Sequence, residues 1–234
     1  MTAVVTERDR VLDALGAVRD PELDEPITTL GFVSTCVVSA AGDAVVRLRL
    51  PTYFCAPNFA FLMVADAYDA VAALPHVRTV DVALEDHFAA TQINAGVSAR
   101  AGFVQTFAGE AAGELDELRR TFVRKSVLAG TDVVCRELVA VGIEPVGCVV
   151  GDVPATAALE RLLRRRAELG LPAGPDAPLL VDVETGAPIG PGEAARHLGL
   201  ARLTRTGIEA NTGICRGMLR HRYAATGAGE EELG

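Results

Sequence analysis

The chain has 234 residues, a net charge of −9 at pH 7, a pI near 5.0 and no Trp. Half of the residues are hydrophobic, which is enough for one large domain or two small ones with aliphatic cores. The acidic balance argues against general nucleic-acid binding, because neutralising phosphates requires clustered Lys and Arg. We interpret the one basic cluster, residues 161–166, as a solvated helix face.

No targeting or membrane segment is predicted. The first 15 residues carry charges where a signal peptide needs an apolar stretch. The most hydrophobic run, residues 59–74, is too short to span a bilayer and contains two aspartates. We therefore expect a cytoplasmic protein with no membrane partner. The five cysteines are odd in number and scattered, so they predict neither a disulfide framework nor a closed metal site.

The first predicted element is a helix that begins at the N-cap Thr6, with Asp9 completing a capping box. It should continue to Asp20, because Pro21 disfavours a helical residue before it. Alternating apolar residues on both sides of a turn sequence then predict a β-hairpin over residues 32–50, with one buried face.

Pro57 is predicted to begin an apolar helix that ends before Pro75. A third strand over residues 80–84 completes an α-β-β-α-β order. This order predicts an α+β domain over residues 1–100, with a three-stranded sheet and two helices on one of its faces.

Residues 101–223 are predicted to form a mostly helical extension, and residues 224–234 a disordered tail. Within the extension we expect a helix from Leu115 onward, helices over 154–169 and 203–223, and a short hairpin over 179–189.

Cys55 is the most informative single residue. It lies two positions before the Pro57 helix, at the end of a strand. The free N–H groups and positive dipole of a helix N-terminus favour a thiolate, which is the form that binds metal or attacks. The alternative is a small apolar Cys packed under the helix. Packing also explains the other four cysteines. Among these, the polar neighbours of Cys215 slightly favour a functional role for Cys215.

Three acidic or imidazole side chains are further candidates. Asp20 and Glu22 flank Pro21, where local pattern alone favours a turn with solvated charges. His87 follows Glu85 and Asp86 and could be a metal ligand or proton carrier, although a polar loop is the commoner structure. The sequence contains no P-loop, dinucleotide-binding, nucleophile-elbow or H-E-x-x-H motif, so we expect no enzyme.

Asp20-Pro21-Glu22, the hairpin, and Pro51-Thr52-x-x-Cys55-x-Pro57 together resemble the small iron–sulfur cluster assembly domain family over about residues 7–88. Its members include the phenylacetyl-CoA oxygenase maturation protein, the carrier-like SUF accessory protein and the eukaryotic cytosolic cluster-targeting factor. The resemblance implies a role in maturing metalloproteins, with iron or an iron–sulfur cluster bound transiently. It implies a binding pocket formed by Cys55, Thr52, Asp20 and Glu22; the candidate metal ligands are Cys55, Asp20, Glu22, His87 and Cys215.

The chain departs from the small members by a bulkier loop at residues 53–56 and by about 140 extra residues. Segments 115–125 and 209–223 resemble the long actinobacterial form of the family, which accompanies multicomponent diiron hydrocarbon monooxygenases. The resemblance therefore implies a diiron monooxygenase hydroxylase as the client, and other cluster-assembly proteins as further partners.

Three hypotheses follow from the sequence. In the leading hypothesis, Cys55 carries iron or a cluster to the client. Because the chain has few thiols, the metal would be bridged by paired Cys55 residues of a homo-oligomer, or the site would be labile and completed by small thiols. In the second, the chain is a metal-free scaffold or chaperone whose helical extension holds the apo-oxygenase. In the third, Cys55 is an enzymatic nucleophile, but no His can be placed beside it as a base.

Overall fold

The computed structural model describes residues 6–224. They form two compact units, each with its own hydrophobic core: one comprises residues up to Leu115 and from Thr212 onward, the other Asp116–Asn211. The sequence predicted a boundary at residue 100, with residues 101–223 in the extension. In the structure, the last turns of the final helix, from Thr212 onward, belong to the first unit. Beyond Ala224, the tail predicted to be disordered lies outside the described residues.

None of the helices in residues 6–224 combines the length and apolarity that a membrane crossing needs.

The predicted α+β class is confirmed. The elements are α1 (Glu7–Leu15), β1 (Val33–Val38), β2 (Asp43–Arg49), α2 (Pro57–Ala72), β3 (Thr79–Glu85), α3 (Ala90–Ser98), α4 (Phe103–Thr106), α5 (Asp116–Ala140), a 3₁₀ turn (Val150–Asp152), α6 (Ala157–Leu169) and α7 (Pro191–Tyr223).

Helix α1 begins with the predicted capping box. The Thr6 hydroxyl accepts the Asp9 N–H at 3.2 Å, and the Asp9 carboxylate accepts the Thr6 N–H at 2.9 Å. The helix ends at Leu15 rather than at Asp20, because the backbone after it forms hydrogen bonds within a loop instead of continuing the helix. The N–H of Asp20 donates to Glu25 and the N–H of Ile27 to Val18, which closes residues 18–27 into a tight loop.

The sheet has the order β1-β2-β3, with the predicted antiparallel hairpin between β1 and β2. Gly42 makes its turn at φ +85°, where an added Cβ would lie 2.6 Å from the carbonyl oxygen of His76. Strands β2 and β3 are parallel and connected through α2. Ala44, Val46 and Leu48 of β2 are buried in the core that α1 and α2 also fill, which confirms one buried face.

The first unit contains three elements that the sequence did not predict there, which are α3, α4 and the end of α7. Helix α3 packs against α2 and β3. At the end of α7, Leu219 is buried, Arg222 donates to the Leu50 carbonyl at 3.1 Å, and the Tyr223 hydroxyl donates to the Asp86 carboxylate at 3.1 Å. The end of α7 therefore lies at the carboxyl ends of the parallel strands β2 and β3.

The second unit is built from α5, α6 and the first part of α7. Helix α5 continues through Gly130, and α7 begins twelve residues earlier than predicted. Residues 179–189 form a turn closed by one isolated bridge, Val181 to Pro188, rather than a two-stranded hairpin. Arg161 and Arg164 are exposed as predicted, but Arg166 of the same cluster is 0% exposed, so the solvated-face interpretation is wrong for this residue.

Candidate thiol and metal site

Cys55 lies in the loop between β2 and α2, at the carboxyl edge of the parallel strands. Its thiol is partly exposed, and its Sγ lies 3.3 Å from the Thr52 hydroxyl oxygen. The same hydroxyl accepts the N–H of Phe54 at 3.2 Å, which leaves the hydroxyl proton available to the Cys55 sulfur. The Thr52 hydroxyl could therefore donate to a Cys55 thiolate, and its role in a binding pocket stays a prediction.

His87 fixes the backbone of this loop from the end of β3. Its ring is 5% exposed, and Nδ1 accepts the N–H of Ala89 at 3.2 Å. The ring proton therefore sits on Nε2, which donates to the Cys55 carbonyl at 2.7 Å. Burial lowers the pKa of His87, which favours the neutral ring. Since both nitrogens are engaged, the structure favours positioning of Cys55 over the ligand role predicted for His87.

Cys215 of α7 lies in the same neighbourhood as Cys55, although 160 positions separate them in the chain. Both thiols are partly buried against the core of the first unit. Burial raises the pKa of Cys215 to about 11, and the neighbouring charges of Asp20, Cys55 and Glu22 act in the same direction. Cys215 is thus the residue whose titration responds to three of the other predicted ligands.

Asp20 is buried, which corrects the solvated turn favoured on local grounds. The side chain is 8% exposed, and its Oδ1 accepts the N–H groups of Glu22 at 2.9 Å and Leu23 at 2.8 Å. Burial raises the pKa of Asp20 to about 6 in spite of these hydrogen bonds. Buried carboxyl groups with a raised pKa are common at functional sites, and Asp20 also acts on the charge of Cys215.

We expect Asp20→Asn to stabilise the protein at neutral pH. The rise in the Asp20 pKa from 3.8 to about 6 corresponds to at most about 3 kcal/mol, and we expect about 1–2 kcal/mol after relaxation. Because the folded pKa is raised, the stability contributed by Asp20 is complete below pH 3.8 and lost as the pH rises through about 6. Asn keeps the acceptor for both N–H groups but cannot ionise.

Urea unfolding at pH 4.5, 6 and 7.5 measures this effect. The advantage of Asp20→Asn over the wild type should shrink steadily as the pH falls from 7.5 to 4.5. Asp81→Asn is a matched control, since its exposed carboxylate lies on β3 away from the thiols. A stability difference that stays constant across these pH values would show that the Asp20 charge is not the cause.

No three His, Cys, Asp or Glu side chains among residues 6–224 stand close enough together to hold a metal ion. The ligand set Cys55, Cys215, Asp20 and Glu22 therefore stays a prediction. Its members are neighbours, but they do not form a preorganised coordination shell.

An exposed aromatic patch, formed by Tyr53, Phe54 and Phe88, borders Cys55. The three side chains are 44%, 77% and 49% exposed. The Phe54 ring centroid lies 5.0 Å from that of Tyr53 and 5.9 Å from that of Phe88. The N–H of Phe88 donates to the Tyr53 carbonyl at 3.1 Å, which joins the two loops. The bulk of the first two residues is evident in the sequence, whereas the proximity of Phe88 follows from the parallel pairing of β2 and β3.

Neither a curated protein nor a solved structure matches the chain. One family does match part of it, over the segment that contains α1, the hairpin, the Cys55 loop and α2. Residues 8–82 match the model of a family described as "Iron-sulfur cluster assembly protein", and this match supports the broad family for that part of the chain.

Proposed function

We propose that the chain is a metallocentre maturation factor, which binds iron or an iron–sulfur cluster transiently through Cys55 and passes it to a client metalloenzyme. The observation that carries the proposal is the partly exposed Cys55 thiol at the end of β2, with the Thr52 hydroxyl 3.3 Å from its sulfur. Thiolates and carboxylates are donors that iron accepts in proteins. The family match over residues 8–82 independently supports a role in cluster assembly or maturation.

The two thiols have different tasks in this proposal. Cys55 is partly exposed in a loop, with the Thr52 hydroxyl 3.3 Å from its sulfur, so it makes the first contact with incoming metal. Cys215 is a protonated thiol at neutral pH, because its pKa is about 11, and it must release a proton to become a ligand. Metal uptake is therefore coupled to proton release and becomes stronger as the pH rises.

Two thiols are too few for a resident four-cysteine cluster. The remaining coordination positions are filled by a second copy of the chain, by small thiols, or by the client during transfer. Such an incomplete donor set suits a carrier, since a complete set would retain its cargo.

The aromatic patch of Tyr53, Phe54 and Phe88 suits contact with the client. Exposed aromatic side chains that lie together are typical of protein interaction surfaces, where they supply much of the binding energy. A client docked on this patch lies directly beside Cys55. The diiron monooxygenase hydroxylase implied by the resemblance is our proposed client.

Anaerobic loading of the purified full-length chain with ferrous iron, with and without sulfide, tests the function. We expect iron that a chelator removes readily and uptake that increases between pH 6 and pH 8. Iron and sulfide analysis, an absorption spectrum and gel filtration would report the cargo and any metal-dependent dimer. The absence of iron uptake at every pH, with or without added small thiols, would contradict the proposal.

A further inference from the structure

A second pocket in the first unit, of about 550 Å³, has the composition of an anion site. It lies between the loop of residues 29–31, the end of β2 and the last turns of α7. Its lining comprises Thr29, Leu30, Gly31, Arg49, Arg216, Leu219, Arg220 and Tyr223. It thus contains three arginines and no carboxylate, in a chain whose net charge is −9.

Two of these guanidinium groups have a buried N–H that lacks a partner. The Nε of Arg49 and the Nε of Arg216 are both inaccessible to solvent and form no hydrogen bond. Arg216 pairs with Glu25 through another nitrogen. The guanidinium of Arg49 instead lies over the Tyr223 ring, 4.7 Å from its centroid, and no carboxylate among residues 6–224 pairs with it.

Arg220 adds a third positive charge at the mouth of the pocket. It is exposed, and within residues 6–224 it has neither an ion pair nor a hydrogen bond. Arginines near the carboxyl end of a helix are common, because they offset the helix dipole. That explanation covers Arg220 but not Arg49, which comes from β2 and faces the same pocket.

We propose that this pocket binds an anion that carries carboxylate or phosphate groups. The planar guanidinium fork matches both groups, and one polyvalent anion can satisfy Arg49 and Arg220 together while the Thr29 hydroxyl supplies a further donor. Two sources offer this chemistry: a free anion, or the three consecutive glutamates at positions 230–232 of the same chain. The proposal does not depend on Cys55 or on metal binding.

Calorimetry and thermal unfolding of the full-length chain with pyrophosphate or citrate, at constant ionic strength, test the site. We expect a saturable rise in the unfolding temperature, and a fall in affinity of about tenfold or more in Arg49→Gln and in Arg220→Gln. Arg78→Gln is the matched control, because Arg78 is an exposed arginine paired with Asp43 outside the pocket. Equal affinities in all three variants would mean adventitious anion binding and would overturn the proposal.

The variant with Gln at positions 230, 231 and 232 distinguishes the two sources. Tighter pyrophosphate binding in this variant than in the wild type identifies the glutamates as the competing occupant, and unchanged binding identifies a free anion. Either result supports the site. If pyrophosphate and citrate bind neither the wild type nor this variant, the pocket is not an anion site.

Discussion

Replacing Cys55 by Ser should reduce anaerobic iron binding by more than about 100-fold and stop transfer to the client, without loss of the fold. Removing even an outer partner of a metal ligand costs about 10- to 100-fold in affinity, so loss of the ligand itself should cost more. Ser has nearly the same size and keeps the contact with Thr52, and the Cys55 side chain is only partly buried. Iron titration followed by absorbance, with circular dichroism as a check of folding, measures the effect.

Cys148→Ser is the matched control for this experiment. Cys148 is another partly exposed thiol, but it lies in the second unit, where its sulfur donates to the Glu144 carbonyl at 3.0 Å. A serine hydroxyl can make the same bond, so iron binding should not change. Cys215→Ser should weaken iron binding less than Cys55→Ser, because burial raises the pKa of Cys215 and its thiol must lose a proton before it can bind metal.

The scaffold hypothesis makes the opposite prediction for client maturation. If the chain only holds the apo-oxygenase, Cys55→Ser would mature the client at the wild-type rate. In that case Phe54→Ala, which removes the most exposed ring of the aromatic patch in the first unit and leaves the helical extension intact, would also mature the client at the wild-type rate. These two variants together separate metal transfer from docking.

The features that the sequence predicted well depend on interactions between near neighbours. The capping box of Thr6 and Asp9, the hairpin around Gly42 and the helix that begins at Pro57 all follow from rules that act within a few residues. These rules also placed Cys55 correctly between a strand and a helix. The fold class and the position of Cys55 between a strand and a helix were therefore accessible without a structure.

The rest of the candidate site depends on contacts between distant segments. The position of Cys215 beside Cys55 is set by the docking of the α7 end, through Arg222 and Tyr223, at the carboxyl ends of β2 and β3. Polar neighbours had favoured Cys215 only slightly, because a single helix pattern does not say which core its residues join. The burial of Asp20 likewise depends on the loop that returns through Glu25.

Arg166 shows how a local interpretation of charge can fail within one helix. Leu159, Leu162 and Arg166 follow one another at helical spacings of three and four, and all three are buried. The four arginines of residues 161–166 suggested a common solvated face, but Arg166 belongs to the apolar stripe by position. The spacing along the helix indicated that Arg166 lies on the buried face, although its residue type suggested an exposed position.

Arg166→Met should therefore destabilise the second unit, by about 3 kcal/mol. The guanidinium donates to the carbonyls of Pro178, at 3.0 Å, and Leu179. A methionine would leave these acceptors without a donor, at a cost of roughly 1–3 kcal/mol each. Part of that cost is offset, because methionine does not bury a charge. The cost of burying the Arg166 charge is evident in its pKa, which burial lowers to about 10. We expect the carbonyl term to dominate.

Urea unfolding combined with hydrogen exchange in α6 and residues 171–181 measures this loss where it arises. Arg164→Met is the matched control: the same substitution on the exposed face of α6 should change stability by less than about 0.5 kcal/mol. Arg166→Lys keeps the charge but cannot donate as a planar fork, so it should recover little of the stability. If Arg166→Met were as stable as the wild type, desolvation of the charge would outweigh its hydrogen bonds, and Arg166 would be retained for a reason other than stability.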